Sequence, residues 1–332
     1  MALRLIEATV PDDRVERARE ALAAEECLAS WSYDLDDEHT VVAVVLRAEE
    51  VESRLDKLGD GFEGYAGFRA MVYAVEAMLP RPEEKPKDHE EDRRQRDRIS
   101  REELYARISD GADLDRTFLL QVFLSTTVAV IGLLRNDLAV IIGAMVIAPL
   151  LGPNVSLALA TVLSDAKLGL RAVRTNLAGV GLAIGLSILV GMVLPVDPGS
   201  PALAARTRVG LEDLALATAS GAAGVLAFTT GVPASLIGVM VAVALLPPAA
   251  VFGLLIGGGD FQSALQALLL LTVNVISVNL AAVAMFAVKG VQPRHWWEAG
   301  RARSATRNAI VVWSLLLLSL ALLIALSERL PG

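Results

Sequence analysis

The chain has 332 residues, of which 54% are hydrophobic and 20% are charged, and its mean hydropathy is +0.52. Soluble chains average about 45–50% apolar and about 25% charged residues, so this composition excludes a pair of soluble domains, intrinsic disorder and collagen. Residues 1–116 carry a net charge of −12 and residues 117–332 a net charge of +4. The acidic first part argues against nucleic acid as a partner. Cys27 is the only cysteine, which excludes a disulfide scaffold.

Residues 1–80 predict a small α+β domain. Short patterned segments give strands at residues 3–9, 27–35, 40–47 and 68–77 and helices at residues 11–24 and 48–58. The order β-α-β-β-α-β is that of a ferredoxin-like domain, which has an antiparallel sheet with two helices on one face. No ligand signature is visible, which favours an assembly or regulatory module. The chain does not open with a secretory signal, so we expect this domain to be cytoplasmic.

Residues 81–116 predict a charged linker followed by a short helix. Charges of both signs are mixed in the linker, which is typical of a solvated surface rather than an anchor for anionic lipid. Ser100 and Glu103 have the spacing of a capping box, in which each side chain accepts a free backbone N–H. We therefore expect a helix from Arg101 to about Ser109.

Residues 117–332 predict a transmembrane domain. A bilayer core of about 30 Å requires about 20 apolar residues per helix, and seven segments qualify to different degrees: 117–134, 138–163, 176–196, 214–228, 235–257, 264–288 and 310–326. The loop after the second segment contains Lys167, Arg171 and Arg174, and Lys and Arg also concentrate after the sixth. This bias places the N-terminus inside. We expect a multi-pass protein of the bacterial inner (plasma) membrane, with the lipid bilayer as a partner.

The transmembrane domain contains an internal repeat with an offset of 95 residues. Residues 142–146 match 237–241, and residues 150–153 match 245–248; seven of the twelve positions from 142 to 153 are identical. The same offset relates the first predicted span to the fourth and the third to the sixth. The repeats cover residues 117–196 and 212–291. If spans two and five cross fully rather than re-enter, three spans per repeat force opposite orientations. This predicts an inverted-topology repeat, an architecture of secondary transporters.

Proline interrupts the second and fifth predicted spans at corresponding places. Interrupted backbone survives at membrane depth only where other groups or a water-filled cavity satisfy the freed carbonyls, and such paired interruptions point to a transport site. The alternatives are a packing kink that binds nothing and, for each single amide or hydroxyl, a hydrogen bond that only joins helices. We expect the interruptions and the nearby amides and hydroxyls to line the path: Thr126, Pro149, Gly152, Pro153, Asn154, Ser156, Pro247, Pro248, Asn274, Ser277 and Asn279.

Residue types that other functions require are missing from the predicted spans. Asp, Glu, Lys, Arg and His are absent from their interiors, which argues against a relay of protons through carboxylates. The three histidines are scattered, and phosphate-binding and nucleophile motifs are absent. The sequence therefore predicts no enzyme, no metal and no cofactor.

One stretch of the transmembrane domain resembles a known family. Residues 135–138 (RNDL) and 142–153 (IGAMVIAPLLGP) are similar to the characteristic segment of the bacterial and archaeal membrane family called "domain of unknown function 389". The resemblance covers roughly residues 117–290. It implies several hydrophobic spans, with a soluble N-terminal segment in some relatives. It implies no activity and transfers no functional residue.

The leading hypothesis is a transporter for an ion or a small polar solute, with Thr126, Asn274, Ser277 and Asn279 as ligands. Two alternatives remain open. One is a homo-oligomeric channel with its pore on the symmetry axis. The other is a membrane-anchored sensor or scaffold whose soluble domain binds a ligand or partner. We expect a homo-oligomer in which the soluble domain dimerises or gates the membrane part.

Overall fold

The computed structural model describes residues 3–23, 27–62, 64–65, 67–80, 101–230, 234–291 and 304–319, with the backbone alone for residues 49, 101, 211, 230 and 234–244. The chain divides into two compact units, Met1–Leu104 and Tyr105–Gly332. Residues 81–100 of the predicted linker and residues 320–326 of the last predicted span lie outside the described residues.

The N-terminal unit is a four-stranded sheet with two helices: β1 (Leu3–Pro11), α1 (Val15–Leu22), β2 (Ala29–Asp34), β3 (His39–Arg47), α2 (Ala48–Phe62) and β4 (Arg69–Val75). The strands are ordered β2-β3-β1-β4, and every neighbouring pair is antiparallel. The predicted order of elements is confirmed, and every strand boundary agrees to within two residues.

Alternation along the strands gives the sheet two different faces. One face packs against both helices and forms the core, whose most buried members are Ile6, Ala8, Val10, Ala18, Leu22, Val42, Val44, Leu46, Val51, Leu58 and Phe62. On the other face Trp31, Tyr33 and Tyr73 keep 44–45% of their surface exposed. The helices therefore account for the burial of only one face.

The second unit is helical. Its helices are α3 (Arg101–Ser109, which begins in the N-terminal unit), α4 (Arg116–Leu134), α5 (Leu138–Ile147), α6 (Leu151–Leu163), α7 (Ala166–Val193), α8 (Leu211–Thr230), α9 (Ala234–Gly257), α10 (Phe261–Val288) and α11 (Ser304–Ser319). Among the described residues, α4, α7 and α10 are long and apolar enough to cross a membrane, and α5 with α6 would make a fourth span. The protein is thus mostly helical, with three or four candidate spans and a small N-terminal sheet. Seven spans remain a prediction.

The helix boundaries repeat with the offset found in the sequence. Helix α10 begins and ends 95 residues after α7, and α8 begins 95 residues after α4. Asp165 and Asp260, also 95 residues apart, cap α7 and α10 by accepting backbone N–H bonds. Helix α4 packs on α7 as α8 packs on α10, and α7 packs on α9 as α10 packs on α6. The repeat is therefore present in the helix boundaries and in the packing.

Helix α7 begins ten residues before the predicted third span. The carboxylate of Asp165 accepts the backbone N–H groups of Lys167 and Leu168 at 3.0 Å and starts the helix there. Lys167, Arg171 and Arg174 consequently lie on the first turns of a helix, and the prediction of a loop at these residues is wrong. Hydropathy identifies the apolar part of a helix, whereas the capping side chain decides where the helix begins.

Small residues bring α7 and α9 close together. A Cβ atom built on Gly253 would lie 2.6 Å from the carbonyl oxygen of Ile184, and one built on Gly257 would lie 2.8 Å from the backbone nitrogen of Met192. Gly253 and Gly257 are four residues apart and hence on one face of α9. This spacing is a common device for close helix contacts in membranes.

Candidate functional site

The candidate site begins at the bend between α5 and α6, whose axes differ by 50°. Ala148 has extended backbone (φ −67°, ψ 124°), the conformation that a following proline favours. Pro149 lacks an N–H group and cannot continue the hydrogen bonding of α5. Pro153 lies in the first turn of α6, where a missing N–H group costs little. Pro149 therefore causes the break, and Pro153 is compatible with the helix that follows.

The corresponding prolines in the second half do not interrupt their helix. Helix α9 runs from Ala234 to Gly257, with Pro247 and Pro248 buried inside it. The prediction of a break at these prolines is wrong. With the 95-residue offset, the position of Pro149 is occupied by Ala244, which has an N–H group. The residue that ends α5 thus has no equivalent in α9.

A segment before α4, residues 105–113, packs against the bend. A Cβ atom on Gly152 would lie 3.0 Å from the Cα atom of Gly111, so the two backbones approach too closely for any larger residue without a shift. The hydroxyl of Ser156 lies 2.6 Å from the carbonyl oxygen of Ile108 and 2.9 Å from that of Gly152. The hydroxyl of Thr175 donates to the carbonyl oxygen of Ala112 at 2.6 Å. The segment is therefore held by two hydroxyls and one glycine contact.

Polar contacts at its ends fix the 105–113 segment to α7 and its cap. The hydroxyl of Tyr105 donates to the Oδ2 atom of Asp165 at 2.8 Å, and Arg171 forms an ion pair with Asp113. Burial and the bond to Asp165 raise the pKa of Tyr105. Burial alone would raise the pKa of Asp165, but bonds from the backbone of Leu168 and from Tyr105 outweigh it and lower the pKa. The folded state therefore favours neutral tyrosine and ionised aspartate.

Three asparagines on three helices form a chain of hydrogen bonds, which we call the amide cluster: Asn154 on α6, Asn176 on α7 and Asn279 on α10. The Nδ2 atom of Asn154 donates to the Oδ1 atom of Asn176, and the Nδ2 atom of Asn279 donates to the Oδ1 atom of Asn154, both at 3.0 Å. Asn154 and Asn279 are 2% and 1% exposed. The cluster joins the two halves of the repeat through a contact between α6 and α10.

Of the hydroxyls predicted to line the path, those of Thr126 and Ser277 differ from the other hydroxyls of these helices. Ser187 donates to the carbonyl oxygen of Ala183, four residues earlier in its own helix, and Ser125 and Ser220 also bond to their own helices. The hydroxyls of Thr126 and Ser277 are fully buried and have no hydrogen-bond partner in the described part of the chain. The Oδ1 atom of Asn279 is likewise buried without a donor. These three atoms are unsatisfied in a region where desolvated polar groups are costly.

The structure brings together only part of the predicted set. Asn154 and Asn279 are bonded to each other, and Pro149, Gly152, Pro153 and Ser156 lie at or just after the bend. Asn274 is buried on α10. Thr126 is on α4, which packs against α5, α7 and α9, and its hydroxyl is bonded to none of the described amides.

The sequence analysis missed three contributors: Asn176, Thr175 and the 105–113 segment. Asn176 lies at the edge of the predicted third span, where a polar residue is unremarkable. Only its contact with Asn154, 22 residues away, gives it a role. The sequence did contain one signal for this contact. It has an amide near the start of the third predicted span and another just after the proline break of the second.

Comparison with known proteins identifies the family. Among the described residues, no group of three or more His, Cys, Asp or Glu side chains could hold a metal ion. No solved structure matches the chain. A family described as domain of unknown function (DUF389) matches residues 145–280, which include the bend and the amide cluster. An uncharacterized protein of Methanocaldococcus jannaschii is 36% identical over 285 residues, which cover 86% of this chain and 87% of the relative. The chain belongs to the DUF389 family.

Proposed function

We propose that this protein transports an ion or a small polar solute across a membrane through its helical unit. The observation that carries the proposal is the amide cluster, in which the buried Oδ1 atom of Asn279 accepts no hydrogen bond from the described residues. Buried acceptors that lack donors cost about 1–3 kcal/mol each. A polar group retained at this cost between apolar helices is explained if a solute or ion binds there transiently.

The bend and the repeat support the same proposal. The backbone interrupted at Pro149 lies next to Asn154, whose Nδ2 atom donates to the carbonyl oxygen of Leu150, so the break and a side-chain amide occur together. Helix boundaries 95 residues apart are those expected of two related halves. In the proposed arrangement the halves are inverted and the chain crosses the membrane seven times. Exchange of packing between the halves then opens the site alternately to each side.

The remaining parts of the proposal concern location and assembly. The protein lies in the inner membrane of a bacterium as a homo-oligomer, with its N-terminal unit in the cytoplasm as a ferredoxin-like domain. The antiparallel strand order supports that domain type. The exposed aromatic residues of the sheet favour its use in assembly. The proposal includes no enzymatic step, metal, cofactor or nucleic acid.

Flux through proteoliposomes tests the proposal. The panel contains radiolabelled Na⁺, Rb⁺, ammonium analogues, amino acids and sugars, with the wild type, Asn154→Leu and the control Ser187→Ala. Ser187 is as buried as Asn154, but its hydroxyl is bonded within its own helix. We expect flux in the wild type and the control and at least a tenfold loss in Asn154→Leu. A folded wild type that moves nothing on the panel contradicts transport, and stepwise single-molecule currents favour a channel.

A second candidate function is a membrane-anchored sensor, favoured by a cavity in the N-terminal unit. The cavity has a volume of about 460 Å³ and lies between α1 and strands β2 and β3, with Arg19, Leu22, Cys27, Ser30, Ser32 and Val44 among its lining residues. Its apolar floor and the guanidinium of Arg19, which pairs with Glu16 in this structure, would suit a small ligand whose acidic group replaces that of Glu16. Because Cys27 is the only cysteine and is exposed, its rate of maleimide labelling reports occupancy. A sensor requires a compound that slows labelling in the full-length protein.

A further inference from the structure

We propose that the amide cluster binds a small monovalent cation, with the Oδ1 atom of Asn279 as its principal ligand. This inference rests on the proposed function and names the chemical class of one species that occupies the site. It follows from the balance of hydrogen-bond donors and acceptors and from the absence of charged residues on α6 and α10.

The orientation of two amides in the cluster is fixed by backbone carbonyl groups. The Nδ2 atom of Asn279 donates to the carbonyl oxygen of Val275 at 2.9 Å, and the Nδ2 atom of Asn154 donates to that of Leu150 at 2.8 Å. A backbone carbonyl only accepts hydrogen bonds. Exchanging the nitrogen and oxygen of either amide would place two acceptors against each other. The oxygen atoms must therefore point away from these carbonyls.

The fixed orientation uses every N–H group of Asn154 and Asn279. Each NH₂ group has two hydrogens, and each of these two bonds one backbone carbonyl and one neighbouring amide oxygen. The Oδ1 atom of Asn154 accepts one bond and retains a second lone pair, while the Oδ1 atom of Asn279 has no donor among the residues whose side chains the structure describes. The free capacity of these two residues consists only of acceptors.

Excess acceptors select the chemistry of the occupant. An anion would find no donor on Asn154 or Asn279, and a proton would find no base, because amides do not titrate near neutral pH. Divalent Ca²⁺ and Mg²⁺ are bound mainly by carboxylates, and helices α6 and α10 contain no Asp or Glu. A partly dehydrated monovalent cation is held by neutral oxygens, as in channels lined by carbonyl groups. Neutral acceptors without a counter-charge therefore favour such a cation.

Ser277 is a second buried oxygen on α10, but it lies outside the site, because residues two positions apart on a helix do not face each other. It is fully buried and has no bonding partner in the described part of the chain. Ser187 on α7 is equally buried in a helix of the same length but bonds its own backbone. Cation binding at Asn279 therefore predicts that neither serine is required, and both serve as controls.

The test measures cation-dependent stability of the full-length protein in detergent micelles. Thermal unfolding is followed in chloride salts of Li⁺, Na⁺, K⁺ and choline at equal ionic strength. We expect one alkali cation to raise the midpoint over choline in a saturable manner. Asn279→Leu should lose the shift, whereas Ser277→Ala and Ser187→Ala should both keep the half-saturating concentration of the wild type. A buried water as the sole occupant predicts the same midpoint in all salts and overturns the proposal.

A second variant guards against misfolding of Asn279→Leu. Asn279→Asp keeps the Oδ1 acceptor, adds a negative charge and replaces the Nδ2 donor with an oxygen that faces two acceptors. The variant should therefore be less stable than the wild type in choline and should gain more stability from the cation at pH 7. An unchanged or weaker response in a monodisperse Asn279→Asp protein contradicts the assignment. Flux measurements separate the two proposals. Cation binding without any flux refutes transport alone, whereas solute flux with no cation effect on stability refutes the cation site alone.

Discussion

The close contact between Gly111 and Gly152 can be tested by adding one methyl group. In Gly152→Ala the new Cβ atom would lie 3.0 Å from the Cα atom and 3.1 Å from the carbonyl oxygen of Gly111. Carbon atoms in contact are normally about 3.5–4.0 Å apart, so the 105–113 segment must move by about 0.5 Å or more. The same movement stretches the bonds that Ser156 and Thr175 donate to this segment, both 2.6 Å long.

The expected loss of stability follows from these distances. Stretching both bonds by about 0.5 Å takes them beyond the usual range for hydroxyl donors, and each lost bond costs about 0.5–1.5 kcal/mol. Overpacking costs about 1–3 kcal/mol, and replacing glycine in a helix returns up to about 1 kcal/mol. We therefore expect Gly152→Ala to lower the free energy of unfolding by about 1–5 kcal/mol.

The assay is unfolding of the full-length protein in mixed micelles by SDS titration, followed by circular dichroism. Gly143→Ala is the control, because a Cβ atom there meets nothing within 4 Å and the residue lies inside α5. We expect the control to be stabilised by about 0.5–1 kcal/mol. If Gly152→Ala proves as stable as Gly143→Ala, the 105–113 segment is not packed in the bend and the reasoning is refuted.

Three further predictions concern other parts of the chain. Leu58→Ala, in the core of the sheet, should lower the free energy of unfolding measured by urea titration by about 2–5 kcal/mol. The control Leu35→Ala, at an exposed position, should change it by less than about 0.5 kcal/mol. Gly257→Leu should separate α7 from α9 and reduce the monodisperse fraction in size-exclusion chromatography. Because the pKa of Tyr105 is raised in the folded state, its neutral hydroxyl stabilises the fold below pH 10, and this contribution is lost as the pH rises above 10. Because the pKa of Asp165 is lowered, its carboxylate stabilises the fold above pH 4, and this contribution is lost as the pH falls below 4. Above pH 10, the unfolding midpoint of Tyr105→Phe should therefore fall less with increasing pH than that of the wild type.

The sequence correctly predicted the elements whose structure depends on residues close together in the chain. The alternation in β3, with Val42, Val44 and Leu46 on the core face, is a property of neighbouring residues, and its boundaries were found within one residue. The start of α7 was placed wrongly because hydropathy responds to apolar side chains, whereas the helix starts at the cap formed by Asp165. Capping signals carry boundary information that hydropathy lacks.

Contacts between distant residues limited the prediction of the site. Asn154 and Asn279 were singled out separately as polar residues near a break or in a span, but their bond joins positions 125 residues apart. The unpaired state of Ser277 is visible only when its surroundings are known, because most hydroxyls in these helices bond their own backbone. A single sequence identifies candidate groups and leaves open which of them meet.

The differences between the repeats explain why the proposed site occurs once. Residues 95 positions after Pro149, Asn154 and Asn176 are Ala244, Ala249 and Leu271, so the second half lacks both the breaking proline and two of the three amides. The helix boundaries and pairwise packing are nevertheless shared. Scaffold and site therefore depend on different residues. Apolar and small residues common to the halves specify the bundle. The three differences above, together with Asn279 in place of Ile184, convert one of two equivalent interfaces into a polar one. An asymmetric site in a repeated scaffold provides one binding position between two halves, which is the arrangement that alternate exposure to the two sides of a membrane requires.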